Sequence, residues 1–193
     1  MTYFLNLILG SFSMTAVTIF GVYFKLQSFI FMPIFGMNNG LVPIIAYNYG
    51  AEKRKRIINT ISVGIKVSVG IMLVGLLVFE LMPEQLLSLF NASDEMLRLG
   101  RPALRIIGTH FPVAAVCICL FSVFQALGQG VYSMIGSFIR QLIVLLPAAW
   151  LLSLTGNLTN VWWAFPIAEV SSLLTAFFFM KKAYGKYIKH LPD

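Results

Sequence analysis

Apolar runs alternate along this chain with short breaks rich in glycine, proline or charge. Five runs, at 15–45, 57–81, 105–127, 131–154 and 161–180, each supply the roughly 20 mostly apolar residues a helix needs to cross hydrocarbon. A shorter stretch at 2–12 has no preceding charge and reads as the end of a helix whose beginning is missing. The interval 106–139 contains no formal charge, but one helix of that length would overshoot a bilayer. Gly128-Gln129-Gly130 offers a tight turn that splits it into two antiparallel helices. The pattern therefore predicts an all-α, polytopic transmembrane helix bundle with one truncated and five full spans.

Composition agrees. The 193 residues are 59% hydrophobic and 11% charged, with a mean hydropathy of +0.85, far from the balance of an average soluble domain. The net charge of +7 does not point to nucleic acid, because eight of the fourteen Lys and Arg fall at 53–56 and 181–189, beside apolar segments. That placement fits lipid headgroups and topology. It predicts a multi-pass plasma (inner) membrane protein whose basic connection 51–56 and basic tail 181–193 are cytoplasmic. Four spans separate the two clusters, so both can lie on one side. The connections 82–97 and 155–160 then lie outside, where Arg98, Arg101 and Arg105 oppose the rule unless they pair with nearby acids. Two glycosylation-like tripeptides, Asn91-Ala-Ser93 and Asn157-Leu-Thr159, are read as chance. Cys117 and Cys119 lie two apart on one predicted helix, so their side chains diverge and are read as packing thiols.

The segment from Gly36 to Arg56 is unusual for its run, with glycines, prolines and asparagines before four basic residues. Pro33 and Pro43 are expected to bend the helix and free backbone carbonyls, which hydrocarbon tolerates only where protein or a cavity surrounds them. Gly36 and Gly40 are spaced for close approach of a neighbouring helix. On a helical wheel Lys25, Phe29, Met32, Gly36 and Asn39 share a face, and that face is expected to look into the bundle. Two readings of Lys25, Asn38 and Asn39 stay open: contact with a solute, or capping of a kinked helix while Lys25 reaches the interface. Pro112, Pro147 and Pro166 are further expected kinks.

Phe31-Met32-Pro33, Gly36, Pro43 and Tyr47-Asn48-Tyr49-Gly50-Ala51 before a basic connection resemble the second half of the multidrug and toxic compound extrusion (MATE) family. Phe124-Gln125-Ala126-Leu127-Gly128, then Arg140-Gln141 and Pro147, are similar to that family's tenth and eleventh helices. The resemblance implies one lobe, helices seven to twelve, of a twelve-helix, two-lobed exporter. Such an exporter moves amphipathic or cationic small molecules outward by proton- or sodium-coupled antiport. Its partners would be the lipid bilayer, the substrates and a missing N-terminal lobe, in the same chain or a second one. The family often uses carboxylates in its first, seventh or tenth helix, and the tenth-like run 105–127 has none. The resemblance therefore leaves proton and sodium both open.

Ionisable groups at membrane depth are default functional candidates. Glu169 lies mid-span and is the stronger proton or cation candidate, whereas Glu80 sits at a helix end and Lys66 within reach of headgroups. His110 titrates in the physiological range or serves as a hydrogen-bonded structural residue. Gln125 lies fifteen residues on, about 60° around an ideal helix, and shares a broad face with it. Arg140 is expected to bind freed carbonyls or to reach the interface, as a gate or packing residue. A membrane enzyme would need paired carboxylates, a His cluster or a glycine-rich phosphate loop. None is visible, so no catalysis, metal or cofactor is expected. The remaining alternatives are a lipid-linked oligosaccharide flippase of the same superfamily and a truncated fragment that does not transport.

Overall fold

The computed structural model describes residues 1–192, all helix and short connections. The predicted tail 181–193 ends on Asp193, which lies outside the described residues. Ten α-helices follow in order: α1 Thr2–Gly10, α2 Met14–Gly50, α3 Arg54–Leu81, α4 Pro83–Ser88, α5 Asp94–Gly108, α6 Phe111–Ala126, α7 Gly130–Phe138, α8 Leu146–Ser153, α9 Leu158–Val161 and α10 Ala164–Ala183. π-helical turns join α7 to α8 over Ile139–Leu145 and extend α10 over Tyr184–Ile188. Four helices are long and apolar enough to cross a membrane, and five if the bent pair α5–α6 counts as one.

Helix ends follow local chemistry. Ser13 Oγ accepts the amide of Ala16 at 3.1 Å and opens α2. The Gly128 turn has φ of 72°, a left-handed conformation that glycine adopts without a Cβ penalty. The two glycosylation-like tripeptides are helix caps: Ser93 Oγ accepts from Met96 N at 3.3 Å, and Asn157 Oδ1 from Thr159 N at 2.9 Å. Ser93→Ala should lower stability by about 1 kcal/mol, measured as the midpoint shift in unfolding from mixed micelles by SDS. An unchanged midpoint would show that the cap contributes nothing.

Several expected details differ. The 105–127 run is not one helix: α5 begins at Asp94, stops at Gly108, and α6 departs at 45°. α5 is amphipathic and polar in its first turns, so hydropathy alone missed its start. Two of its three arginines meet acids, Arg101 to Glu84 at 3.0 Å and Arg105 to Glu80 at 3.7 Å. Pro33 and Pro43 sit inside an unbroken α2, while Pro112 and Pro147 fall in the first turns of α6 and α8, where a missing N–H costs nothing. Pro166 likewise stands in the first turn of α10. α10 and its π turn carry the chain helically to Ile188, well past 180.

Two apolar cores stack along the bundle. The first gathers Leu5, Ile19, Tyr23, Phe79, Phe111 and Trp162; the second gathers Leu41, Ile57, Phe124 and Ile188. On each long helix a polar or small residue falls between them. On α2 the first core ends at Ile34, the second starts at Leu41, and buried Asn38 lies between. On α3 it is Ser68, on α6 Cys117, and on α10 Glu169 and Ser172. The bundle has a polar waist at mid-height.

Helix contact glycines lie elsewhere than expected. A Cβ on Gly36 or Gly40 would meet nothing within 4 Å, whereas Gly64 would meet Leu41 at 2.7 Å and Gly75 would meet Ile30 at 2.6 Å. Close packing is thus made by α3 against α2, with the glycines on α3.

Candidate functional site: a charge pair between two cavities

The waist is built from α2, α6, α10 and the π turn after α7. α10 packs against that π turn and against α6, which brings Arg140 over Glu169. Arg140 Nη1 donates to Glu169 Oε2 at 3.1 Å. The carboxylate side chain is 4% exposed and that of the arginine 35%. Charge-assisted geometry of this kind offsets part of the cost of taking both ions out of water. A widened turn at Ile139–Leu145 is the local irregularity often found at functional sites. Arg140 therefore meets a carboxylate and not the freed carbonyls or interface that its sequence position suggested.

Two cavities adjoin the pair and share Gln27, Arg140 and Glu169 in their walls. The first, about 350 Å³, adds Asn38, Asn39 and Gln125 with Phe31, Phe35 and Phe121. The second, about 400 Å³, adds Tyr23, His110 and Gln141. His110 stands at the α5–α6 break, 5% exposed, with Nδ1 against the carbonyl of Ile107 and its ring stacked on Phe165. It does not share a cavity with Gln125, because the two stand at opposite ends of α6, about 22 Å apart along a straight helix.

Lys25 and Met32 are not in either wall. Met32 is 68% and Phe29 73% exposed, and Lys25 lies outward, its Nζ 5.7 Å from the Phe90 ring centroid. The predicted face of α2 is thus split: Asn39 lines the first cavity, Lys25, Phe29 and Met32 lie exposed on the surface of the lobe, and the cavity side of the helix also runs through Gln27, Phe31, Asn38 and Val42. A helix apolar all round gives no moment from which to read its inner side, and the lysine was a poor guide because its stem reaches an exterior ring. Sequence reasoning passed over Gln27, Ser133, Ser137 and Ser172. The signal was present in Ser133, Gly136, Ser137 and Arg140, which recur at helical spacing on one face of α7 and its continuation. Among the described residues no cluster of three or more metal-ligating side chains forms.

Helices long and apolar enough to cross a membrane, around a polar waist, define a multi-pass membrane helix bundle. The MatE family model matches residues 1–151, and the chain belongs to that family. It is 29% identical over 172 residues to the multidrug export protein MepA of Staphylococcus saprophyticus, covering 89% of this chain and 38% of that protein. The chain thus spans well under half the length of the curated relative it matches. Its fold matches an outward-facing multidrug resistance MATE family transporter of the MOP superfamily with TM-score 0.89 at 20% identity, covering 97% of this chain and 43% of that one. An inward-facing structure described in the same words matches with TM-score 0.88 at 20% identity, covering 97% and 44%.

Proposed function

We propose that this chain is one lobe of a secondary active exporter of amphipathic compounds, cationic ones included, driven by inward movement of protons or sodium. The observation that carries the reading is the Arg140–Glu169 pair, held at mid-height between two cavities in a chain of the MatE family. Intramembrane charge is retained at a cost and marks solute or ion paths. The similar match of this one lobe to inward- and outward-facing folds supports a lobe that moves as a unit against its partner. Lys25 and Lys66 are exposed and away from the two cavities. Among the described residues that leaves Arg140 as the cationic side chain in their walls and disfavours a flippase, for which several interior cations are expected.

The proposed orientation places residues 51–56 and the C-terminal end in the cytoplasm of the inner membrane. It is supported by contacts between the two basic segments: Arg54 donates to the Tyr184 hydroxyl at 2.8 Å, and the Arg54 amide to the Pro192 carbonyl at 3.3 Å. In this reading the second lobe supplies the facing wall of the path.

The test is ethidium efflux from a drug-sensitive bacterium expressing the whole transporter that contains this chain, with and without proton or sodium gradients. Gradient-dependent loss of dye is expected, and Glu169→Gln should slow it more than Glu80→Gln, whose carboxylate meets Arg105 at the bundle end. Dye retention despite membrane insertion, or identical wild-type rates in both variants, counts against the assignment.

A further inference from the structure

Lys66 is an exposed cation inside a helix long and apolar enough to cross a membrane, and among the described residues it forms no ion pair. It stands in the wall of an apolar groove of about 480 Å³ on the flank of the lobe. One wall is α3, where Ile58, Ile61, Ser62, Ile65 and Lys66 recur at helical spacing. The other is the end of α10 and its π turn, with Met180, Tyr184 and Ile188. Ile61 and Ile188 also belong to the second core, which closes the groove from behind. Arg54 ties the two walls together at the start of α3, donating to the Tyr184 hydroxyl at 2.8 Å with its guanidinium carbon 5.9 Å from that ring's centroid.

Depth and charge say what fills the groove. Counting roughly 20 residues of hydrocarbon from Leu81 back along α3 and from Ala164 forward along α10 puts one membrane boundary near Ser62 and Ala183. The groove sits at that boundary. Helical side chains tilt towards the N-terminus, so the Lys66 stem runs from the hydrocarbon back along the groove to the headgroup level. Eight of the fourteen Lys and Arg gather at the same end, at 53–56 and 181–189, against Glu52 and the terminal Asp193. An apolar trough under a positive rim fits an acyl chain under an anionic headgroup. A neutral lipid leaves the Lys66 charge uncompensated at the hydrocarbon edge, and a soluble anion leaves the trough unfilled.

We propose that this groove binds one anionic phospholipid of the cytoplasmic leaflet. Its phosphate lies on the Lys66 ammonium beside the Ser62 hydroxyl, and an acyl chain lies between α3 and α10. Seated there, the lipid adds to the Arg54–Tyr184 tie between the two helices. The site is on the outer flank, apart from both cavities, and does not depend on the export reading. The proposed orientation only names its leaflet.

Native mass spectrometry of the whole transporter that contains this chain, released from micelles, tests the site without reference to a leaflet. Dioleoyl-phosphatidylglycerol should bind about tenfold tighter than dioleoyl-phosphatidylcholine, which has the same chains and a neutral headgroup. Lys66→Gln should lower the phosphatidylglycerol affinity about fivefold, the share of one lysine beside an anionic lipid, and leave phosphatidylcholine unchanged. Lys66→Arg should keep the preference. Ile65→Trp, which fills the trough, should weaken both lipids, and Lys25→Gln, at an exposed lysine outside the groove, should change neither. Glycerophosphoglycerol, the same headgroup without chains, should bind far more weakly. Equal binding of the two lipids, or a preference that survives Lys66→Gln or is lost in Lys25→Gln, overturns the proposal. Glycerophosphoglycerol binding as tight as the lipid makes this an anion site alone and overturns it, as does a dimer that Ile65→Trp dissolves, which puts a second copy in the groove. Because Lys66 is exposed, Lys66→Gln should keep the wild-type SDS midpoint. If that midpoint falls, Ile65→Trp decides by itself: undiminished lipid binding there overturns the site.

Discussion

Arg140→Gln is expected to destabilise the lobe by roughly 3–5 kcal/mol, the usual cost of removing one partner from a buried ion pair. The cost arises because Glu169, 4% exposed, is left as a carboxylate with no counter-ion among packed helices. The reverse substitution, Glu169→Gln, should cost clearly less. Its orphan is an arginine whose side chain is 35% exposed and borders both cavities, so the guanidinium can turn towards water there. The double glutamine variant should recover much of the loss, since two neutral amides at hydrogen-bonding distance replace two charges. Unfolding midpoints in SDS titrations, read by tryptophan fluorescence, give the cycle directly. A Glu169→Gln loss larger than that of Arg140→Gln would show that the arginine, not the carboxylate, depends on the pair.

The second large effect is steric. A Cβ on Gly136 would stand 2.6 Å and 2.8 Å from Cζ and Cε1 of Phe121, closer than real carbons approach. The neighbouring Ser133 hydroxyl donates to the Phe121 carbonyl at 2.8 Å, which ties α7 to α6 at this point and limits how far the helices can part. Gly136→Ala should therefore cost about 1 kcal/mol, the low end of the range for overpacking, because the Phe121 ring borders the first cavity. Gly136→Leu should exceed that range. Gly70→Ala is the control: a Cβ there meets nothing within 4 Å, and better helix propensity should leave stability equal or slightly higher. The same SDS titrations report both, and Phe121→Leu in the Gly136→Ala background should restore part of the loss. A Gly136→Ala midpoint equal to wild type would mean that the ring yields freely.

Much of the architecture is written in hydropathy, because crossing hydrocarbon demands long apolar helices whatever their neighbours. The Gly128 turn and the end of α2 at Gly50 were legible for that reason. α5 was not, since a polar amphipathic helix contributes no apolar run, and its packing on α2, α3 and α4 fixes it. Glu169, Arg140, Asn38, Asn39, Gln125 and His110 were each visible as polar residues in apolar runs. What joins them was not. The salt bridge spans 29 positions, and no composition rule predicts the bend between α5 and α6 at which His110 stands. The faces of α2 could not be ranked for a related cause: lipid and protein interior are about equally apolar, so periodicity in a membrane helix does not tell one from the other.

The π turn at Ile139–Leu145 places one residue more in a coil than the regular helices on either side. The wider winding absorbs the surplus, so α7 and α8 keep their alignment while the side chains inside the turn depart from the register of a regular helix. Arg140 is one of them, and it is from this turn that its guanidinium reaches Glu169 on α10. The bulge is thus a local re-aiming device, and the contact between the two halves of the waist starts from it.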